Sequence, residues 1–253
     1  MSNLYVFAMT VVDFLLMVVA GFFAGLIGFI TGMASLVSYP ALLAIGLGPV
    51  AANVTNTVGM VAVGLGAMAN SGRALADTGP KLWRWAGAAV LGGVVGAVLL
   101  LVGSDGAFEA IVPFLVGMAA IAVLLQPRIK DLAGKAEFGR VVPFGVFLVA
   151  VYGGYFGAGA GVIFLALFLI CTSESIWRAS ILKSFLLGIA NLVAAIGFAI
   201  FGPVHWPAAL AMAIGAFVGG WCGPPTVKVI PQRALRIAVG ILGLGLAVWL
   251  AVH

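Results

Sequence analysis

Long apolar runs broken by short polar stretches dominate the chain from residue 5 to residue 252. A bilayer's hydrocarbon core of about 30 Å takes roughly 20 apolar residues to cross as a helix. That length marks eight long segments, near residues 5–27, 50–70, 82–102, 108–125, 141–156, 175–201, 206–221 and 235–252. Two shorter apolar stretches, 33–47 and 161–171, remain. Each follows a glycine cluster: Gly25, Gly28 and Gly32 before the first, and Gly153, Gly154, Gly157, Gly159 and Gly161 at the second. Residues 1–10 have neither a basic leading region nor a clear small-residue cleavage site, and read as the start of the first spanning helix, not as a removed signal peptide.

The pattern repeats. Gly25, Gly28 and Gly32 recur as Gly154, Gly157 and Gly161, and Gly92/Gly215, Gly96/Gly219 and Gly117/Gly240 are pairs with a common offset of 123 residues. The chain thus divides into a first membrane repeat (1–127), a basic cytoplasmic linker (128–140) and a second repeat (141–253). If both short segments turn back, the chain crosses eight times, and Arg178 and the group Lys228, Arg233 and Arg236 fall opposite the other basic residues. If both cross, Arg73, Lys81 and Arg84, the linker, Arg178 with Lys183, and the last group all share one side, as the positive-inside bias demands. The expectation is an all-α integral membrane protein, a polytopic bundle of two inverted repeats of about 5+5 helices, the second of each repeat short, with both termini outside.

Composition removes soluble alternatives. The chain has 253 residues, of which 64% are hydrophobic and 8% charged, against about a quarter charged in a soluble domain. The net charge of +5 belongs to connecting loops, so nucleic acid is not an expected partner, whereas membrane lipid is. Cys171 and Cys222 lack any ligand-like spacing, and no metal or other cofactor is expected. No Walker loop, HExxH or nucleophile elbow is present, and the glycines at 157, 159 and 161 lack the strand–turn–helix context of a dinucleotide site, so an enzyme is not expected.

The candidate chemistry lies where each half breaks. After each short segment a polar run opens a long helix: Asn53, Thr55, Asn56 and Thr57 in the first half, and Ser180, Lys183 and Ser184 in the second, with Asn56 aligned to Lys183 and Thr57 to Ser184. Buried amides, hydroxyls and an ammonium require partners, and a hydrated cavity holding an anion supplies them. Helix starts freed by a break also offer backbone N–H groups to an anion. Lys183 is the sharpest of these signals, being about two turns into its helix; snorkelling to the interface is the competing reading. Asp13, about nine residues into the first segment, is a candidate for proton coupling or else an interfacial residue. Pro40 is placed to kink its short segment. His205 and His253 read as interfacial, and the tryptophans, Trp83 and Trp85 included, mostly as an aromatic belt.

The glycine motif of residues 21–32 followed by Pro40, Gly46, Pro49, Ala52, Thr55, Asn56 and Thr57, with its second copy at 153–161 followed by Ala179, Lys183 and Ser184, resembles the TauE/SafE family of membrane anion permeases, also called sulfite exporters. The resemblance covers nearly the whole chain. It implies a secondary transporter that exports a small sulfur-containing or organic anion, such as sulfite or sulfoacetate, across the bacterial inner membrane with coupling to the proton gradient. It places Gly28, Gly32, Thr55 and Asn56 in the first motif and Gly157, Gly161, Lys183 and Ser184 in the second. The runs Gly28-Phe-Ile-Thr-Gly32 and Asn53-Val-Thr-Asn-Thr57 depart from the family's usual forms, which bears on the substrate more than on the fold. An anion channel, a non-transporting membrane subunit of a larger complex and a homo-oligomer all stay open.

Overall fold

Helix starts and stops follow local chemistry in the computed structural model, which describes residues 9–131, 141–226 and 232–252. Pro49 and Pro80 open their helices at the first position, where a missing N–H costs nothing, and Ser175 caps another by accepting from the backbone N–H of Arg178. Among the described residues there are ten α-helices: α1 (Val11–Thr31), α2 (Ser35–Ala44), α3 (Pro49–Ser71), α4 (Pro80–Val102), α5 (Asp105–Asp131), α6 (Val142–Tyr155), α7 (Ala160–Cys171), α8 (Ile176–Phe201), α9 (Trp206–Thr226) and α10 (Gln232–Val252). A 3-10 turn, Gly72–Thr78, links α3 to α4. The ten segments expected from hydropathy are thus ten helices. The first expected segment begins at residue 5, and its residues 5–8 lie outside the described ones. Of the expected linker, 128–131 continue α5, and 132–140 lie outside the described residues, as do Lys228 and His253.

Among the described residues six helices, α1, α3, α4, α5, α8 and α9, are long and apolar enough to cross a membrane. The ten-residue α2 and twelve-residue α7 rise only about 15 and 18 Å at 1.5 Å per residue, and the fourteen-residue α6 about 21 Å. The last is shorter than expected because its helix ends at Tyr155, just before Gly157 turns the chain at φ 81°. The surface is apolar and the interior partly polar. Leu15, Val98, Phe114, Ile196, Leu210 and Leu242 are among many large side chains facing out, while Ser38, Asn53, Thr55, Asn56, Ser180 and Lys183 are buried. Such an arrangement would be unstable in water and suits lipid. Trp85 is an exception to the expected aromatic belt. It is 5% exposed and lies 5.3 Å from Phe168, because it falls on the inner face of α4, whereas Trp83 points outward.

Close glycine packing fixes the directions of the helices. Gly215 lies against Val18 and Phe22 and, one turn on, Gly219 against Phe22 and Leu26, so α1 and α9 run in the same sense. α3 runs the same way, with Gly59 at Ala209 and Met212 and Gly66 at Phe217 and Trp221. Since α1 and α3 are co-directional, α2 must carry the chain back between them. α4 of the first half runs with two helices of the second: with α6, Gly92 against Phe147 and Val151 and Gly96 against Val151 and Tyr155, and with α8, Gly93 at Ala190 and Gly197 at Ala97 and Leu101. α6 and α8 are therefore co-directional, and α7 carries the chain back. α3 and α8 run in opposite senses. Arg178 at the start of α8 donates to Thr78 Oγ1 just past α3 (3.1 Å), Gly64 meets Gly188 midway, and the N–H of His205 just past α8 donates to Thr55 Oγ1 near the start of α3 (2.9 Å).

Candidate functional site

Both breaks meet at the centre. α1 ends where Gly32 turns left-handed at φ 89°, its N–H bonded to Gly28 O at 2.9 Å, and α6 ends before Gly157 and Gly159, at φ 81° and 75°. A side chain at these positions would be strained. Gly32 and Gly161 touch backbone to backbone, leaving no room for a Cβ on either. Beside this contact Tyr39, Phe108, Tyr155 and Phe156 form an aromatic cluster with ring centroids 5.6 to 5.9 Å apart.

A cavity of about 40 Å³, enough for a few water-sized positions, opens next to the breaks. Stripes from two oppositely directed helices wall it: Asn56, Thr57, Met60, Val63 and Gly64 on α3, and Lys183, Ser184, Leu187, Gly188 and Asn191 on α8. The α1–α2 break contributes Gly28, Gly32, Ala34 and Ser35, and the α6–α7 break Phe156 and Gly157. None of these lining residues carries a carboxylate.

Lys183 does not snorkel. Its side chain is 1% exposed, and its ammonium donates to Phe29 O at 2.7 Å and Gly28 O at 3.1 Å, with the Phe29 ring 5.6 Å away. Those carbonyls belong to the last turn of α1, at the negative end of the helix dipole, so a cation is favoured there, and Gly28 O takes the ammonium in addition to the Gly32 N–H. The other half has a neutral parallel: Asn53 of α3 donates to Tyr155 O, the last residue of α6, at 2.8 Å. Each interrupted helix is thus held at its end by a polar side chain from a long helix of the opposite half.

The other polar groups are largely engaged. Thr57 donates to Asn53 O at 3.0 Å and Ser184 to Ser180 O at 2.9 Å, each back into its own helix. Asn56 donates to Ser35 Oγ at 3.0 Å and accepts from Ser38, clamping α2 to α3.

Of the residues expected at a site, Gly28, Gly32, Asn56, Thr57, Gly157, Lys183 and Ser184 line the cavity. Thr55 faces away, toward His205 at the α8–α9 connection, and Gly161 packs behind the wall against Gly32. Asp13 requires a correction. It is the third residue of α1, not about nine residues in, and forms a capping box in which its N–H donates to Thr10 Oγ1 at 3.1 Å while its carboxylate accepts from the Thr10 N–H at 3.2 Å and hydroxyl at 2.7 Å. The helix starts at Val11 because Thr10 caps it, which puts the carboxylate at the helix end, away from the cavity. Ser35 and Asn191 line the cavity although neither stands out in the sequence. Asn191 could have been found from its spacing, since Lys183, Leu187 and Asn191 recur every four residues on one helical face.

Cys171 and Cys222 are free thiols, and among the described residues no cluster of His, Cys, Asp and Glu could hold a metal ion.

Comparison with known proteins agrees with this architecture. The family model described as "Sulfite exporter TauE/SafE" matches residues 16–250. The chain is similar to a "Probable membrane transporter protein ORF9" from Sinorhizobium sp, at 29% identity over 237 residues covering 91% of this chain and 89% of that protein. It is also similar to the "Probable membrane transporter protein YfcA" of Escherichia coli (strain K12), at 25% identity over 227 residues, 87% of this chain and 82% of that protein. A "Probable membrane transporter protein" of Haemophilus influenzae is 25% identical over 225 residues, 88% of each chain.

Proposed function

The chain belongs to the TauE/SafE family of multi-pass membrane proteins, and from that premise we propose that it is a secondary transporter exporting a small sulfur-containing anion across the bacterial inner membrane. One observation carries the reading: Lys183, 1% exposed, lines a cavity where the interrupted helices of both halves meet. A buried cation beside helix breaks and hydroxyls is the chemistry that receives an oxyanion. The small cavity favours an inorganic anion of sulfite's size over a bulkier organic sulfonate.

We further propose that the halves, 1–127 and 141–253, are inverted repeats and that α2 and α7 complete ten crossings. The opposite directions of α3 and α8 support this, as does the exchange of contacts in which Gly92 and Gly96 meet α6 as Gly215 and Gly219 meet α1. With the basic groups cytoplasmic, α3 and α8 enclose the anion from opposite sides, and rocking one half against the other exposes the cavity alternately. Coupling to the proton gradient is part of this reading, through a group other than Asp13.

A second reading has its own support: the bonds from Lys183 to Gly28 and Phe29 are a complete structural role for an end-capping lysine. Purified protein in proteoliposomes separates the two. Saturable sulfite flux that falls at least tenfold in Lys183→Gln supports the carrier. Wild-type protein with no flux of sulfite, sulfoacetate or thiosulfate overturns it, and unsaturable conductive flux would make the protein a channel.

A further inference from the structure

An anion entering the cavity must find hydrogen-bond donors, and most of those lining it already donate elsewhere. The hydroxyls of Thr57 and Ser184 donate into their own helices, Asn56 donates to Ser35, and Lys183 donates to the end of α1. Asn191 differs. Its side chain is half-buried against the cavity and makes no hydrogen bond among the described residues. An amide in the middle of a membrane helix normally finds a helix-to-helix partner, because hydrocarbon offers none. This one instead lies open to the cavity, on the same face of α8 as Lys183 and about 12 Å farther along the axis at 1.5 Å per residue, away from the basic end at Arg178.

The position is also asymmetric. The alignment that pairs Asn56 with Lys183 pairs Gly64 with Asn191, so the facing helix presents a glycine where α8 presents an amide. Gly64 and Gly188, which also line the cavity, approach each other closely within a turn of Asn191.

We propose that Asn191 is a substrate-contacting residue that sets anion selectivity, its amide N–H groups taking an oxyanion as it moves along α8 from Lys183. This rests on the carrier reading above. Hydrogen bonds from an amide to an oxyanion discriminate by acceptor geometry, so the residue selects anions with an oxygen free to accept beyond the one held by Lys183.

The test is sulfite flux into proteoliposomes, with thiosulfate and acetate as competitors, for wild type, Asn191→Leu, Asn191→Gln and Asn191→Asp, alongside thermal unfolding in detergent. Asn191→Leu is expected to raise KM for sulfite about tenfold, the scale of one hydrogen bond to a charged partner, and to reorder the competitors. Asn191→Gln should keep flux with altered selectivity. Wild-type KM and selectivity in a folded Asn191→Leu protein would overturn the inference while leaving the carrier reading intact. If Asn191→Leu does not fold, the nearly isosteric Asn191→Asp decides. A carboxylate on the anion's path lowers flux at least tenfold, whereas undiminished flux shows that the anion does not pass there. Absence of wild-type flux is a different failure, that of the carrier itself.

Discussion

Gly32 and Gly161, which the recurring glycine pattern of the sequence aligns, lie against each other at the centre of the molecule, each filling the space that a side chain on the other would need. Gly32 also holds the left-handed conformation that ends α1. The two interrupted helices therefore meet through bare backbone, the closest approach available to them.

Gly32→Ala is expected to destabilise the protein more than Gly161→Ala. Both substitutions force the breaks apart, but only Gly32 adds left-handed strain, about 1–2 kcal/mol for a residue with a Cβ. Thermal unfolding in detergent should rank them in that order, and equal midpoints would refute the role given to Gly32's conformation.

Asn53→Ala should destabilise by about 1 kcal/mol, since it leaves the Tyr155 carbonyl without its 2.8 Å donor. Asn53→Asp should be worse, because it buries a carboxylate against that same carbonyl. If Asn53→Asp proved as stable as Asn53→Ala in thermal unfolding, the end of α6 would be held by something other than this bond.

Lys183→Met tests how much of the lysine's value is structural. The thioether side chain fills similar space while removing the bonds to Gly28 and Phe29, and replacing a buried charge by an apolar group is often tolerated. The expected outcome is a folded, monodisperse protein whose sulfite flux has fallen at least tenfold. Normal flux would assign Lys183 to capping alone.

Asp13→Ala removes the carboxylate half of the capping box and should cost about 1 kcal/mol of stability, with the pH dependence of transport unchanged. A lost or shifted pH profile would restore Asp13 as a coupling group and require its carboxylate to move from the helix end.

Topology can be read with single cysteines in a background lacking Cys171 and Cys222. A cysteine at Ser104, exposed between α4 and α5, should react with an impermeant maleimide from outside the cell, and one at Ser173, exposed between α7 and α8, only from the cytoplasmic side. Labelling of both from the same side would exclude the arrangement with α2 and α7 as crossings.

The membrane class, the ten helical segments, the two glycine breaks and the polar runs after them were legible in the sequence. Hydropathy over 20 residues, glycine punctuation and a recurring offset are local or self-similar properties that need no knowledge of contacts. Lys183 was legible for the same reason, because a charge two turns inside an apolar helix is anomalous wherever the helix packs. The tertiary structure alone decided which of these residues share a space. Thr55 and Thr57 are two residues apart, about 200° around a helix, so one faces His205 and the other the cavity. Asp13 is deep only if its helix begins at residue 5; the Thr10 cap sets the start at Val11 and makes the carboxylate part of the helix end. Asn191 carries only the four-residue spacing it shares with Lys183 and Leu187, and acquires meaning where α3 packs on α8 and its side chain lines the cavity. Composition determines that such groups must be accommodated in lipid, but only the packing of the two halves determines which one is left facing water-sized space.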